Sequence, residues 1–347
     1  METKKCTIFN NRLSTTNTMP DITLKKLAEM LNLSISTVSR ALKDHPDISK
    51  ETRQKVKELA AVAEYEPNTY AINLRTNQSR ELAVIIPTIA NDFYQSFISS
   101  LEEEARLYGY SLIMLQSGDD PLIEQQNLKR CRQGRVSGIF ISITTKTTDV
   151  SSFFKQGDHP IPIIFFDKVP ASENCIKICV DDVMAAIIAA KTLMAKKKQN
   201  ILGVFGNEEL SITKKRLSAF TKTLQEVNPE ARLTIHHAGS INEAFDVVMN
   251  TLPQQQPDAV FCMSDEVLIG VMKAIQTLQL RVPGDIGIIA ISEGQVPTFY
   301  YPQITFIETS GFKLAKSAFV KMMACIAGST GMQEMKINSI LVEGGSL

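Results

Sequence analysis

Ser34, Ser36, Thr37, Ser39 and Arg40 place four hydroxyls and one guanidinium within a single short stretch. Such groups suit a polyanion. Hydroxyls bond phosphates and bases, and an arginine takes a phosphate or a guanine edge. Ile35 interrupts them with an apolar side chain.

The stretch that must position them runs from 23 to 42, TLKKLAEMLNLSISTVSRAL. Leu24, Leu27, Ala28 and Leu31 recur at helical spacing and give one apolar face. Asn32 tolerates the left-handed conformation of a sharp turn. Leu33 plugs the angle, and Ser34 is a good N-cap for a second helix. That helix is expected to bury Val38 and Leu42 and to leave the hydroxyls and Arg40 outside. Two readings stand: a helix that enters a DNA major groove, or a small amphipathic hairpin. Ser49 caps a third helix carrying Val56, Leu59, Ala60 and Ala63, and Pro67 ends it.

The chain has 347 residues, 44% of them hydrophobic, enough for two or three domains. Lys+Arg and Asp+Glu both number 37, so any basic surface is local rather than global. Cys6, Cys131, Cys175, Cys179, Cys262 and Cys325 form no CxxC pair. They read as buried free thiols in a reducing cytosol. No apolar run reaches the ~18 residues of a membrane span. Residues 1–20 are polar, without a signal-peptide core, and are expected to be a disordered tail. Walker, GxGxxG and HExxH motifs are absent. Of the four histidines, His236 and His237 lie in an expected strand and point apart, while His45 and His159 stand alone. No catalytic residue, metal site or cofactor is expected; the chain does not read as an enzyme.

Residues 68–80 are polar, a linker in which Asn68 can cap a short helix bearing Ala71 and Leu74. One or two helical turns are marginal alone in water. Beyond Glu81, apolar runs at 82–87, 110–115, 138–143, 161–167, 201–206, 233–238, 259–263 and 286–291 alternate with amphipathic helices. Buried strands alternating with helices make parallel sheets covered on both faces. Two doubly wound halves are expected, with the chain crossing between them near 181 and within 292–310. Ligands of such sheets bind at the carboxyl ends of the strands, and two halves enclose a hinged cleft.

A headpiece, a linker helix and a bilobal body in this order resemble the lactose-repressor family of bacterial transcription regulators. The likeness covers nearly all of 21–340. It is carried by LSISTVSRAL (33–42), ISKETRQKVKELA (48–60), PNTYAINLRTNQS (67–79), SDEVLIGVMKAI (264–275) and LRVPGDIGIIAI (280–291). The resemblance implies an α/β body like the periplasmic sugar-binding proteins and a helix-turn-helix headpiece. The segments are then a tail 1–20, a headpiece 21–67, a hinge helix 68–80 and a ligand-sensing body 81–347. It further implies a cytoplasmic homodimer or tetramer on a palindromic double-stranded DNA operator, with a sugar or related small molecule as effector and repression as the default. A sugar-binding protein without DNA function is the alternative, but it needs an export signal and no headpiece.

By the same resemblance, Ile35 and Ser36 sit where the family reads bases. Thr23, Ser34, Thr37, Ser39, Arg40 and Asn68 match its DNA-contacting positions. Leu74 matches the leucine wedged into the minor groove, and Arg75 stands beside it. Phe93, Tyr94, Asp167, Arg216, Ser264, Asp265, Ser292 and Glu293 match the effector cleft. Arg216 corresponds to an arginine that holds ligand oxygens. Asp167 is read as a ligand or hinge contact, or else a loop cap. Asp265 is read as the N-cap of its helix before a ligand, and Phe93 and Tyr94 as stacking groups or core. The chain departs from the family at Ala290, Ile291 and Ser292, where GYD or GFD is usual. Ala219 replaces a glycine, and the usual C-terminal arginine is missing from LVEGGSL.

Overall fold

The computed structural model describes residues 22–65, 79–154, 160–329, 331 and 334–347. They fall into two units, divided between Asn77 and Gln78.

In the first unit, helices α1 (Leu24–Met30), α2 (Ile35–Leu42) and α3 (Lys50–Val62) enclose a small core. Leu27, Ala28, Val38, Ala41, Val56 and Ala60 form it. Val38 and Ala41, three apart, are the buried pair of α2, and Leu42 is only half-buried. This shifts the buried stripe from the Val38–Leu42 pair expected. Asn32 has φ +53° at the turn, a conformation open to few side chains besides glycine and Asn. Each helix is capped by a hydroxyl: Thr23 accepts from the Lys26 amide, Ser34 from Thr37 and Ser49 from Thr52. Such a cap contributes about 1 kcal/mol, a large share for so small a core.

The second unit holds two lobes, each built on a six-stranded sheet. In lobe 1 the order is β11-β5-β4-β3-β1-β2, all parallel. Its strands are β1 (Glu81–Ile86), β2 (Ser111–Gln116), β3 (Gly138–Ile141), β4 (Ile163–Phe166), β5 (Ile176–Val180) and β11 (Glu334–Ile337). In β1 the side chains alternate. Leu82, Val84 and Ile86 enter one core, and Ala83 and Ile85 enter the other. The first core lies under α4 (Asp92–Leu107) and α10 (Gly311–Ile326), with Phe97 stacked on Phe166 at 3.9 Å. The second lies under α5 (Pro121–Gln133) and a 3-10 turn at Ser151–Phe154. Each such buried aliphatic or aromatic side chain contributes about 1.5–3 kcal/mol.

Lobe 2 repeats the plan with the order β7-β6-β8-β9-β10-β12. Its strands are β6 (Asn200–Phe205), β7 (Arg232–His237), β8 (Ala259–Cys262), β9 (Gly287–Ser292), β10 (Thr305–Glu308) and β12 (Ile340–Val342). Only β12 runs antiparallel. Helices α6 (Asp182–Ala195) and α7 (Ser211–Val227) cover one face. Helices α8 (Ile241–Gln255) and α9 (Asp265–Thr277) cover the other.

The chain passes between lobes at three places. It leaves lobe 1 between β5 and α6, returns between β10 and α10, and leaves again between β11 and β12, at 338–339. The sequence reading named only two crossings, and it singled out neither β5, β10, β11 nor β12. In both sheets the strand order reverses beside the first strand, between β1 and β3 and between β6 and β8. The carboxyl ends of the strands at these reversals are where a doubly wound sheet receives a ligand.

Candidate nucleic-acid interface and effector cleft

In the headpiece, α2 presents Ile35, Ser36 and Arg40 to solvent, with Ile35 46% exposed. Thr37 and Ser39 are half-buried. The Ser34 hydroxyl lies 2.8 Å from both the Ser36 and Thr37 hydroxyls. The first turn of α2 is therefore a connected patch of hydroxyls. Arg40 extends from the same helix, its Nη1 3.9 Å from Asp47 Oδ2, with both side chains more than half exposed. A surface pair of this kind contributes about 0–1 kcal/mol and yields readily to a phosphate. In the sequence Asp47 reads, with Pro46, as a loop residue; no local pattern ties it to Arg40 before the fold does. Asn68, Leu74 and Arg75 lie outside the described residues, as do the tail 1–20, most of the linker and His159.

In the body, the strand ends bring most of the expected effector residues into two groups. In lobe 1, Asp167 follows β4 in a left-handed conformation, φ +56°. Its Oδ2 accepts from the Tyr94 hydroxyl at 2.6 Å and from Ser142 at 3.3 Å. Tyr94 is only 4% exposed and packs in the lobe core. The ring packs in the core, and its hydroxyl holds Asp167. Burial, with Asp167 beside it, pushes the Tyr94 phenol well above its ordinary value. Phe93 is half-buried, edge-on to Tyr94 at 5.9 Å.

In lobe 2, Ser264 is the N-cap of α9 and accepts from the Val267 amide. Asp265 follows it and does not cap the helix. Instead its Oδ1 accepts from the buried Ser292 hydroxyl and its Oδ2 from the Glu293 amide at 3.0 Å. Both Ser and Asp cap well, so the local sequence does not choose between them. Glu293 Oε2 accepts the Gly311 amide at 2.7 Å, at the start of α10, and Ser96 of α4 also bonds it. Glu293 thus joins the end of a lobe 2 strand to lobe 1. A side chain at Gly311 would run into the Phe93 carbonyl at 2.6 Å; glycine lets this junction close. Asn91 Nδ2 donates to Glu266 Oε1 at 2.6 Å, a second bridge between the lobes. Burial raises the Asp265 carboxyl to about 6 and the Glu293 carboxyl to about 7.

Arg216, expected to hold ligand oxygens, is engaged by protein groups in this structure. It is 6% exposed. Its Nε and Nη2 lie 2.9 and 2.8 Å from Asp182 Oδ1, and Nη1 donates to the Met263 carbonyl at 2.7 Å. The fork that would hold ligand oxygens joins α6, α7 and the end of β8. Ser142, Asn91, Asp182 and Glu266 were not anticipated. Each sits at a strand end or a helix start, and that position was the available signal. His236 and His237 have separate partners, Thr251 and the Gly206 carbonyl. Among the described residues no group of His, Cys, Asp or Glu is arranged to hold a metal.

A three-helix headpiece ahead of two doubly wound lobes defines a DNA-binding regulator with a periplasmic-binding-protein-like sensor. The chain belongs to the LacI family of bacterial regulatory proteins. The profile "Bacterial regulatory proteins, lacI family" matches residues 23–68, and "Periplasmic binding proteins and sugar binding domain of LacI family" matches 79–343. It is a transcription regulator, not an enzyme. Among its relatives, catabolite control protein A of Staphylococcus epidermidis is 27% identical over 289 residues, 82% of this chain and 87% of that one. The NTD biosynthesis operon regulator NtdR of Bacillus subtilis is 26% identical over 320 residues, 89% and 94% of the two chains. The transcriptional repressor PurR of Mannheimia succiniciproducens is 25% identical over 316 residues, 90% and 94%. In fold, the chain is similar to the lac repressor dimer bound to operator and an anti-inducer. The TM-score is 0.83 at 22% identity, covering 94% of this chain and 99% of that one.

Proposed function

We propose that the chain is a repressor that binds a two-fold symmetric DNA operator as a dimer and releases or gains it when a sugar-like effector enters the body cleft. The observation that carries the DNA half is α2: a capped, hydroxyl-lined first turn with Ile35 and Arg40 exposed. The cleft half rests on Asp167 at a strand end of lobe 1 and on Asp265 and Glu293 at strand ends of lobe 2, with direct bonds between lobes at Asn91–Glu266 and Glu293–Gly311. A ligand that prefers one lobe arrangement shifts the other site, and the coupling is reciprocal. An aromatic patch on lobe 2, with Phe299 and Tyr301 exposed beside a cavity of about 400 Å³, suits a subunit contact. No helix among the described residues is long and apolar enough to cross a membrane, which fits work on DNA in the cytoplasm.

The experiment is selection of the full chain on random duplex DNA, followed by anisotropy at fixed salt. Enrichment of a palindrome is expected, with an affinity that a cleft ligand changes. Enrichment of no sequence would overturn the reading.

A further inference from the structure

The loop between α2 and α3 carries two acids, Asp44 and Asp47, and the fold uses them differently. Asp44, at φ +57°, gives its carboxylate oxygens to Lys57 of α3 at 2.6 and 2.7 Å. Its carbonyl accepts from Arg53 Nη1 of the same helix at 3.2 Å. Asp44 thereby fastens the loop to α3. The Asp47 carboxylate instead lies 3.9 Å from Arg40 of α2 and 3.4 Å from His45 Nδ1, and its side chain is 63% exposed. A tight turn fixes it there. The Ile48 amide donates to the His45 carbonyl at 3.1 Å across Pro46 and Asp47, and the Asp47 amide donates to His45 Nδ1 at 3.3 Å. Proline at the second position presets such a turn. The His45 amide donates to the Arg40 carbonyl at 3.0 Å and ties the turn to the end of α2.

An acid held beside Arg40 is out of place against phosphates, which repel it. A base edge treats it differently. A carboxylate only accepts hydrogen bonds. Guanine and thymine present acceptors in the major groove, and adenine sets the N7 acceptor beside its amino group; cytosine presents an amino group alone. Arg40 offsets the Asp47 charge in the free protein, and when Arg40 turns to the duplex it frees the carboxylate beside it. Resting on the DNA reading above, we infer that Asp47 is a specificity-determining residue, whose carboxylate accepts from the amino group of a cytosine in each operator half-site.

The test is selection of the full chain and of Asp47→Asn and Asp47→Ala on random duplex DNA, followed by anisotropy on single-base variants of the selected operator at fixed salt. The wild type is expected to require cytosine at one position of each half-site. Asp47→Ala should lose about tenfold of the discrimination at that position and keep it elsewhere. Asp47→Asn is nearly isosteric and should move the preference there to adenine, which an amide can bond through both N6 and N7. Melting temperatures check that the variants fold. Base preferences that are the same in all three proteins, with affinity merely raised on every duplex, overturn the inference: Asp47 then only repels DNA. That result leaves the DNA reading standing. Enrichment of no sequence by the wild type overturns the DNA reading and the inference with it.

Discussion

Arg216 is turned onto Asp182, with Nε and Nη2 both on the same carboxylate oxygen at 2.9 and 2.8 Å. Both side chains are buried, 7% and 9% exposed. The pair ties α6, the first helix of lobe 2, to α7. Removing one partner leaves an uncompensated buried charge, which costs about 3–5 kcal/mol. Asp182→Ala should lower body stability by that amount in urea unfolding. An unchanged midpoint would show that the Arg216 charge does not depend on Asp182 for compensation.

The carboxyls of Asp265 and Glu293 set a pH dependence. Their ordinary values are 3.8 and 4.5, and burial lifts them to about 6 and about 7. The folded body therefore holds protons that the unfolded chain has already released. Their contribution is fully present below the ordinary values and is lost as pH rises through about 6 to 7. Glu293→Gln should flatten the fall in melting temperature between about pH 5 and about pH 8. An identical pH profile in wild type and variant would remove Glu293 from this account.

Arg40→Ala should weaken operator binding and reduce its salt dependence, because one cation leaves the DNA face. The slope of log affinity on log salt is expected to fall by about 0.9 if Arg40 meets a phosphate. Loss of affinity at an unchanged slope, concentrated on one base position, would place it on a guanine instead.

Leu74→Ala addresses the segment outside the described residues. By resemblance this leucine is the minor-groove wedge. The variant should bend operator DNA less, read by gel mobility of circularly permuted fragments. The headpiece should stay folded. Full bending in the variant would assign the wedge elsewhere.

The parts legible in the sequence were those with local causes. Asn32, Ser34 and Ser49 announced a turn and two caps, and all three hold. The strongly apolar runs became strands. β5 escaped because Lys177 interrupts Ile176–Val180, and β11 because Glu334 and Lys336 alternate with Met335 and Ile337. Those two strands pair in parallel and set Glu334 against Lys177, a relation across a gap of chain that no spacing reveals. The site was legible only in part for the same reason. Asp182 and Arg216 lie 34 residues apart on different helices. Asn91 and Glu266 lie 175 apart. A side chain's type signals what it can bond, but its partner is chosen by topology.

One edge strand of each sheet, β11 in lobe 1 and β12 in lobe 2, comes from a single stretch of chain at Glu334–Ile337 and Ile340–Val342. They follow every other strand in the order of synthesis. On the ribosome, the headpiece emerges with a complete core, while both lobes wait with open edges at β5 and β10. Unpaired edges of this kind invite other chains. Translation that stalls before residue 334 would release a DNA-reading headpiece on a body with both sheets one strand short. For this fold, quality control at the end of translation separates a switchable regulator from a sticky fragment that still carries a finished headpiece.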